Sequence, residues 1–130
     1  MDELTRPLLA NCVFSLATGA LLAISPATVS DWLGVDIPVE LRLFGLVLIG
    51  HAAALFWVAR REEPRPLVML NLLAIAPYPI AMIGLVAFGV LDTNLGRTLA
   101  LADGFVIAVI AAWHAASLRR KTVRTTLTVQ

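Results

Sequence analysis

The chain has 130 residues, of which 59% are hydrophobic and only 15% charged. Soluble domains carry about 25% charged residues, so a water-solvated globule is excluded for want of polar surface. The net charge is +1; the basic tail is too short and too close to the bilayer for nucleic acid, and the single cysteine, Cys12, excludes an intramolecular disulfide and a structural zinc or iron–sulfur centre, so no metal or cofactor is expected.

Four apolar stretches, residues 8–24, 41–59, 67–91 and 98–118, fill most of the sequence. Each is long enough to cross about 30 Å of hydrocarbon as a helix, the one open-ended structure whose backbone polar groups are satisfied internally there. The predicted fold is an all-α membrane protein: a single up-down-up-down bundle of four transmembrane helices over residues 1–130, ending in a short basic tail at 119–130. Thr5 is placed to cap the first helix, with Pro7 in its first turn. Asp2 and Glu3 beside Arg6, and the poor cleavage site Ser25-Pro26-Ala27, predict a retained first span and not a removed signal. Ser25-Pro26 then opens a short interfacial helix through Trp32 and Leu33, closed by Gly34. Its Val29, Trp32 and Leu33 predict that it lies on the membrane surface. Asp36-Ile37-Pro38 opens the second span, residues 62–66 make one tight turn, and residues 92–96 another. Connections this short predict that sequential helices are antiparallel neighbours.

Charge orients the bundle. Arg6, Arg60, Arg61, Arg65, Arg119, Arg120, Lys121 and Arg124 fall on one side of the four spans, against Arg42 and Arg97 on the other with Asp31, Asp36, Glu40 and Asp92. The positive-inside rule makes the basic side cytoplasmic, with both termini inside. Trp57 and Trp113 just before the arginine pairs, and Trp32 in the opposite loop, fit interfacial anchors.

The polar residues inside the spans are the candidate site. Asn11, Ser15 and Thr18 share a face of the first helix, Asn71 and Tyr78 a face of the third, Asp103 and His114 a face of the fourth, and His51 stands alone in the second. At 1.5 Å per residue from the arginines, Asn71 lies about 9 Å deep, His51 about 13 Å, Tyr78 about 20 Å and Asp103 about 24 Å. That staggered ladder reads either as interhelical hydrogen bonding or as a ligand-binding or proton-carrying path through Asp103, His51, Tyr78 and Asn71. Pro77-Tyr78-Pro79 predicts a kink or local unwinding in the third span, which frees carbonyls near Tyr78. The two histidines differ by about 6 Å in depth from the basic side, which disfavours paired axial ligation of one haem; a quinone bonded to His51 stays open.

Small residues recur every fourth position in the last span, at Ala100, Gly104, Ala108, Ala112 and Ala116, with Gly50 and Ala54 as a shorter version in the second. Such stripes predict close helix packing, within the chain or against a second copy. No phosphate-binding loop, dinucleotide glycine turn, nucleophile elbow or Ser/His/Asp triad is present.

Between residues 22 and 61 the strings ISP, WLG, LRLFGLVLIG and FWVARR follow one another. In these the chain resembles small four-span bacterial integral membrane proteins of uncharacterised function, broadly the DoxX-like and SPW-containing families, although Ala27 stands where the SPW motif has Trp. The resemblance implies four helices and membrane residence and carries over no catalytic residue. The functional expectation is a non-enzymatic accessory, scaffold or self-associating unit of the bacterial cytoplasmic membrane, in contact with lipid and with a membrane-protein partner or further copies of itself. The alternatives are a ligand-binding or transport protein with a sparse polar cavity, and a haem- or quinone-binding redox subunit.

Overall fold

The computed structural model describes residues 4–61 and 65–127, with side chains described for 4–61 and 66–120. Six helices follow in order: α1 (Thr5–Ile24), α2 (Pro26–Leu33), α3 (Pro38–Ala59), α4 (Arg65–Ile75), α5 (Tyr78–Ala87) and α6 (Asn94–Leu127). Four stretches are long and apolar enough to cross a membrane: α1, α3, α4–α5 taken together over Pro66–Ala87, and Asn94–Arg120 of α6. The chain is a small multi-pass helical membrane protein with a short helix between its first two spans. Large side chains such as Leu73 and Ile80, each 72% exposed, face outward at no cost because hydrocarbon surrounds them.

Helix ends depart from expectation where the local chemistry differs from its sequence signal. Leu4, not Thr5, occupies the cap position of α1, and no side chain caps it. The third span closes at Ala87 and not at residue 91, because Gly89 adopts φ 68° and turns the chain back, with Val90 N–H donating to Leu85 O at 3.0 Å. The fourth helix starts earlier, at Asn94, since the Thr93 hydroxyl accepts from Gly96 N–H at 2.9 Å as an N-cap. It also runs on through the basic tail to Leu127. Of the turn expected at 62–66, residues 62–64 lie outside the described residues, as do the last three positions of the tail, and Arg65 and Pro66 already belong to α4. Gly34 closes α2 as expected, at φ 72°. At the end of α3, the guanidinium of Arg61 lies 3.7 Å from the Trp57 ring centre and that of Arg60 4.1 Å from Phe56, which anchors the basic end at an interface.

The spans pack as two pairs, α1 with α3 and α5 with α6, joined where α1 meets α6. Gly19 and Gly45 create the first pair. A Cβ on Gly45 would lie 2.7 Å from Gly19 O and 2.7 Å from Ala23 N, so the backbones touch. Gly50, expected to serve this purpose, has nothing within 4 Å of its Cβ position: it faces away, five residues and 140° further round the helix, by about 100° per residue. In the second pair Gly104 meets Met82 and Pro79. Sequential helices are neighbours within each pair, whereas α3 does not pack extensively against α4 or α5, which leaves a gap between the pairs. That gap closes at the basic end, where Leu8, Leu55 and Val68 from three spans form one apolar cluster with Leu118 of the fourth against it.

The opposite, acidic end is roofed by α2. Its Val29 is buried against the bundle and Leu33 half-buried, while Trp32 is 39% exposed. Thr93 donates to Trp32 O, and Gly96 lets the backbone of Leu33 approach, a Cβ there falling 2.7 Å from Leu33 Cα. Ser30 braces the turn that follows, donating to Val35 O and accepting from Ile37 N–H at 3.1 Å.

Candidate functional site

The gap between the helix pairs holds two cavities. The smaller, about 230 Å³, is bounded by Asn11, Ser15 and Thr18 of α1, Phe44 and His51 of α3, Ile75 of α4, Tyr78 of α5, and Asp103 and Ile107 of α6. The larger, about 350 Å³, lies under α2, between Trp32, Leu33, Leu41, Leu85, Leu91 and Leu99. Thr18, Phe44, Tyr78 and Asp103 line both, so the two chambers share one wall. The larger is almost wholly apolar; the smaller gathers most of the polar side chains.

Tyr78 and Asp103 form the centre of that wall. The chain turns through Ala76 and Pro77, and α5 begins at Tyr78, with Ala81 N–H bonding back to Pro77 O at 3.0 Å. Pro77 and Pro79 have no N–H to continue the ladder of α4, so that helix is interrupted and a new one starts at Tyr78. Tyr78 then reaches across to α6, where its hydroxyl donates to Asp103 Oδ2 at 2.5 Å. A carboxylate has four lone-pair directions, so Asp103 keeps capacity to accept another donor. On α1, Ser15 donates to Asn11 Oδ1 at 3.3 Å and leaves the Asn11 amide nitrogen unpaired. Three of the four candidate residues, Asp103, His51 and Tyr78, are thus brought to one cavity.

Asn71 is not brought there. It is buried at 7% exposure one turn below Ile75, and neither amide atom has a partner among the described residues. His114 is also away from the cavity: it is fully buried, its Nδ1 lies 2.9 Å from Ile110 O, and its Nε2 is unpaired. The histidines do not face one another across a common chamber, and among the described residues no three His, Cys, Asp or Glu side chains come together. Cys12 donates to Ala52 O at 3.2 Å inside the basic-end cluster. Each unpaired buried polar atom costs about 1–3 kcal/mol.

The small-residue stripe of α6 divides. Ala100 and Gly104 are buried and Ala108 half-buried, but Ala112 and Ala116 are exposed. A four-residue step advances about 40° beyond a full turn, so the stripe drifts off the packed face, which continues instead through Ile107, Ile110, His114 and Ser117. On the α3 wall of the cavity sequence singles out His51 but not Phe44 and Leu48, although the three follow the i, i+4, i+7 spacing that marks one helical face.

No family model matches the chain, and no characterised protein or solved structure matches it.

Proposed function

We propose that the protein binds an uncharged, lipid-soluble molecule that places a hydrogen-bonding head in the smaller chamber and its hydrocarbon body under α2. The observation that carries this reading is the Tyr78–Asp103 pair, set at a helix break on the wall common to a polar and an apolar chamber. Ligand sites are mostly apolar with a few convergent polar groups, and this one pairs Asp103 and His51 with a greasy extension. The gap between α3 and α5 faces hydrocarbon, so such a molecule enters from the bilayer and not from water. A binding role is thereby favoured over paired axial ligation of a haem, since His51 and His114 do not line a common cavity. We place the protein in the bacterial cytoplasmic membrane with both termini inside, on the strength of its basic end.

A bromo-substituted alkylphenol tests binding. In a chain whose only tryptophan is Trp32, made by Trp57→Phe and Trp113→Phe, the probe is expected to quench fluorescence saturably. Asp103→Leu should weaken it about tenfold, the worth of one strong hydrogen bond. Linear, unsaturable quenching that is equal with and without Asp103 refutes the reading. Reporter fusions at the two ends test orientation: opposite compartments would overturn it.

A second reading, a self-associating or accessory unit, is favoured by Gly50, whose surroundings are open, and by the exposed Ala112 and Ala116. Leucine at these positions should dissociate an oligomer measured by light scattering in mild detergent; an unchanged mass refutes that face as the interface.

A further inference from the structure

Three buried polar side chains have valences that the cavity's hydrogen-bond system does not use, and their register places them in one layer. Leu8, Val68 and Leu118 belong to the apolar cluster of the basic end. Phe14, Ile75 and Ile110 belong to a second cluster nearer the middle of the bundle. Asn11 on α1, Asn71 on α4 and His114 on α6 each lie three or four residues from a member of each cluster on the same span, with Cys12 of the first cluster next to Asn11. One polar level therefore lies where the two apolar clusters meet. Asn11 and His114 are 0% exposed and Asn71 7%.

The unused valences of this level are specific. Asn11 Nδ2 and Asn71 Nδ2 are unpaired donors, and Asn71 Oδ1 is an unpaired acceptor. Ile110 O can only accept, so in the neutral ring the proton of His114 sits on Nδ1, and Nε2 presents a lone pair. Two donors and two acceptors are thus presented at one level by three helices. A water molecule offers two hydrogens and two lone pairs, the complementary set, and buried waters characteristically satisfy otherwise unpaired polar groups.

We infer that Asn11, Asn71 and His114 build a sequestered hydration site in which a water donates to His114 Nε2 and Asn71 Oδ1 and accepts from the two amide groups. The site does not depend on what the cavity binds. Asn11 borders both, and links the water through Ser15 to the polar chamber.

Solid-state NMR of the isotopically labelled full chain in lipid bilayers tests this. Magnetisation started on water should reach the side-chain amides of Asn11 and Asn71, while the methyl groups of Leu8 and Val68 receive none. The Nε2 resonance of His114, distinguished from that of His51 by a His51→Gln variant, should fall at the position of a hydrogen-bonded acceptor. Asn71→Ser, whose hydroxyl can still donate and accept, should preserve transfer to Asn11; Asn71→Leu should abolish it. Absence of transfer to both amides in the unmodified chain overturns the proposal without need of any variant. Undiminished transfer to Asn11 in Asn71→Leu overturns it as well, because the two amides would then not share a water.

Discussion

Gly45→Ala is the most direct test of what joins the first two spans. The added methyl would lie 2.7 Å from both Ala23 N and Gly19 O and 2.8 Å from Leu22 Cβ. Carbon contacts are optimal at about 3.5–4.0 Å, so α1 and α3 must separate by about 0.8 Å. Two of the three obstructing atoms are backbone, which cannot rotate aside, and α1–α3 is the most extensive helix pairing in the molecule. Overpacking costs about 1–3 kcal/mol; the upper end applies here, and about 1 kcal/mol is returned by the better helix propensity of alanine. The expected net loss is about 2 kcal/mol. Gly50→Ala, on the same helix with nothing within 4 Å, collects the propensity gain alone and should stabilise by about 1 kcal/mol. The two variants should therefore differ by about 3 kcal/mol, more than a hundredfold in the unfolding equilibrium. Titration from mild detergent into dodecyl sulfate, followed by circular dichroism, measures both. Equal shifts for the two, or a stabilised Gly45→Ala, would refute the Gly19–Gly45 contact as the basis of the pair.

Ser30→Ala removes the hydroxyl that serves both Val35 O and Ile37 N–H; a loss of about 1–2 kcal/mol is expected in the same titration. Gly104→Leu drives a side chain into Met82, whose Cβ would be 3.1 Å from the new Cβ, and should destabilise by about 2 kcal/mol or more. Ala112→Leu, on an exposed position of the same helix, should stay within about 0.5 kcal/mol of the parent when measured as a monomer. The double change Pro77→Ala and Pro79→Ala restores two backbone donors to the third span. It should raise the thermal midpoint while weakening the alkylphenol probe, since Tyr78 leaves its bond to Asp103; unchanged probe affinity would separate the helix break from binding.

What could be read from the residues alone was whatever the solvent dictates. An apolar run of about 20 residues can satisfy its own backbone in hydrocarbon only as a helix, so composition and the lengths of four such runs sufficed for the all-α fold and its span count, and Pro26 with Gly34 sufficed for α2. Pro77 and Pro79 likewise announced the break in the third span, because a missing N–H is a local property. Termini were less legible, since Gly89 and Thr93 act through a turn conformation and a cap that compete with a hydropathy still favourable beyond them. The direction each side chain faces was the least legible. In water a polar and an apolar face distinguish outside from inside, but these helices are apolar all round. Nothing local therefore distinguishes Gly45 from Gly50, or the packed Gly104 from the exposed Ala112 along the fourth-span stripe.

Polar residues were recognisable as costly and hence inward, yet which of them meet was a matter of pairing. Tertiary structure decided that α1 lies on α3 and α5 on α6, that the space between the pairs unites Tyr78, Asp103 and His51, and that Asn71 and His114 belong to another level. Pairing depends on backbones from distant parts of the chain touching at glycines, and such contacts are set by shape between helices, which no single segment carries.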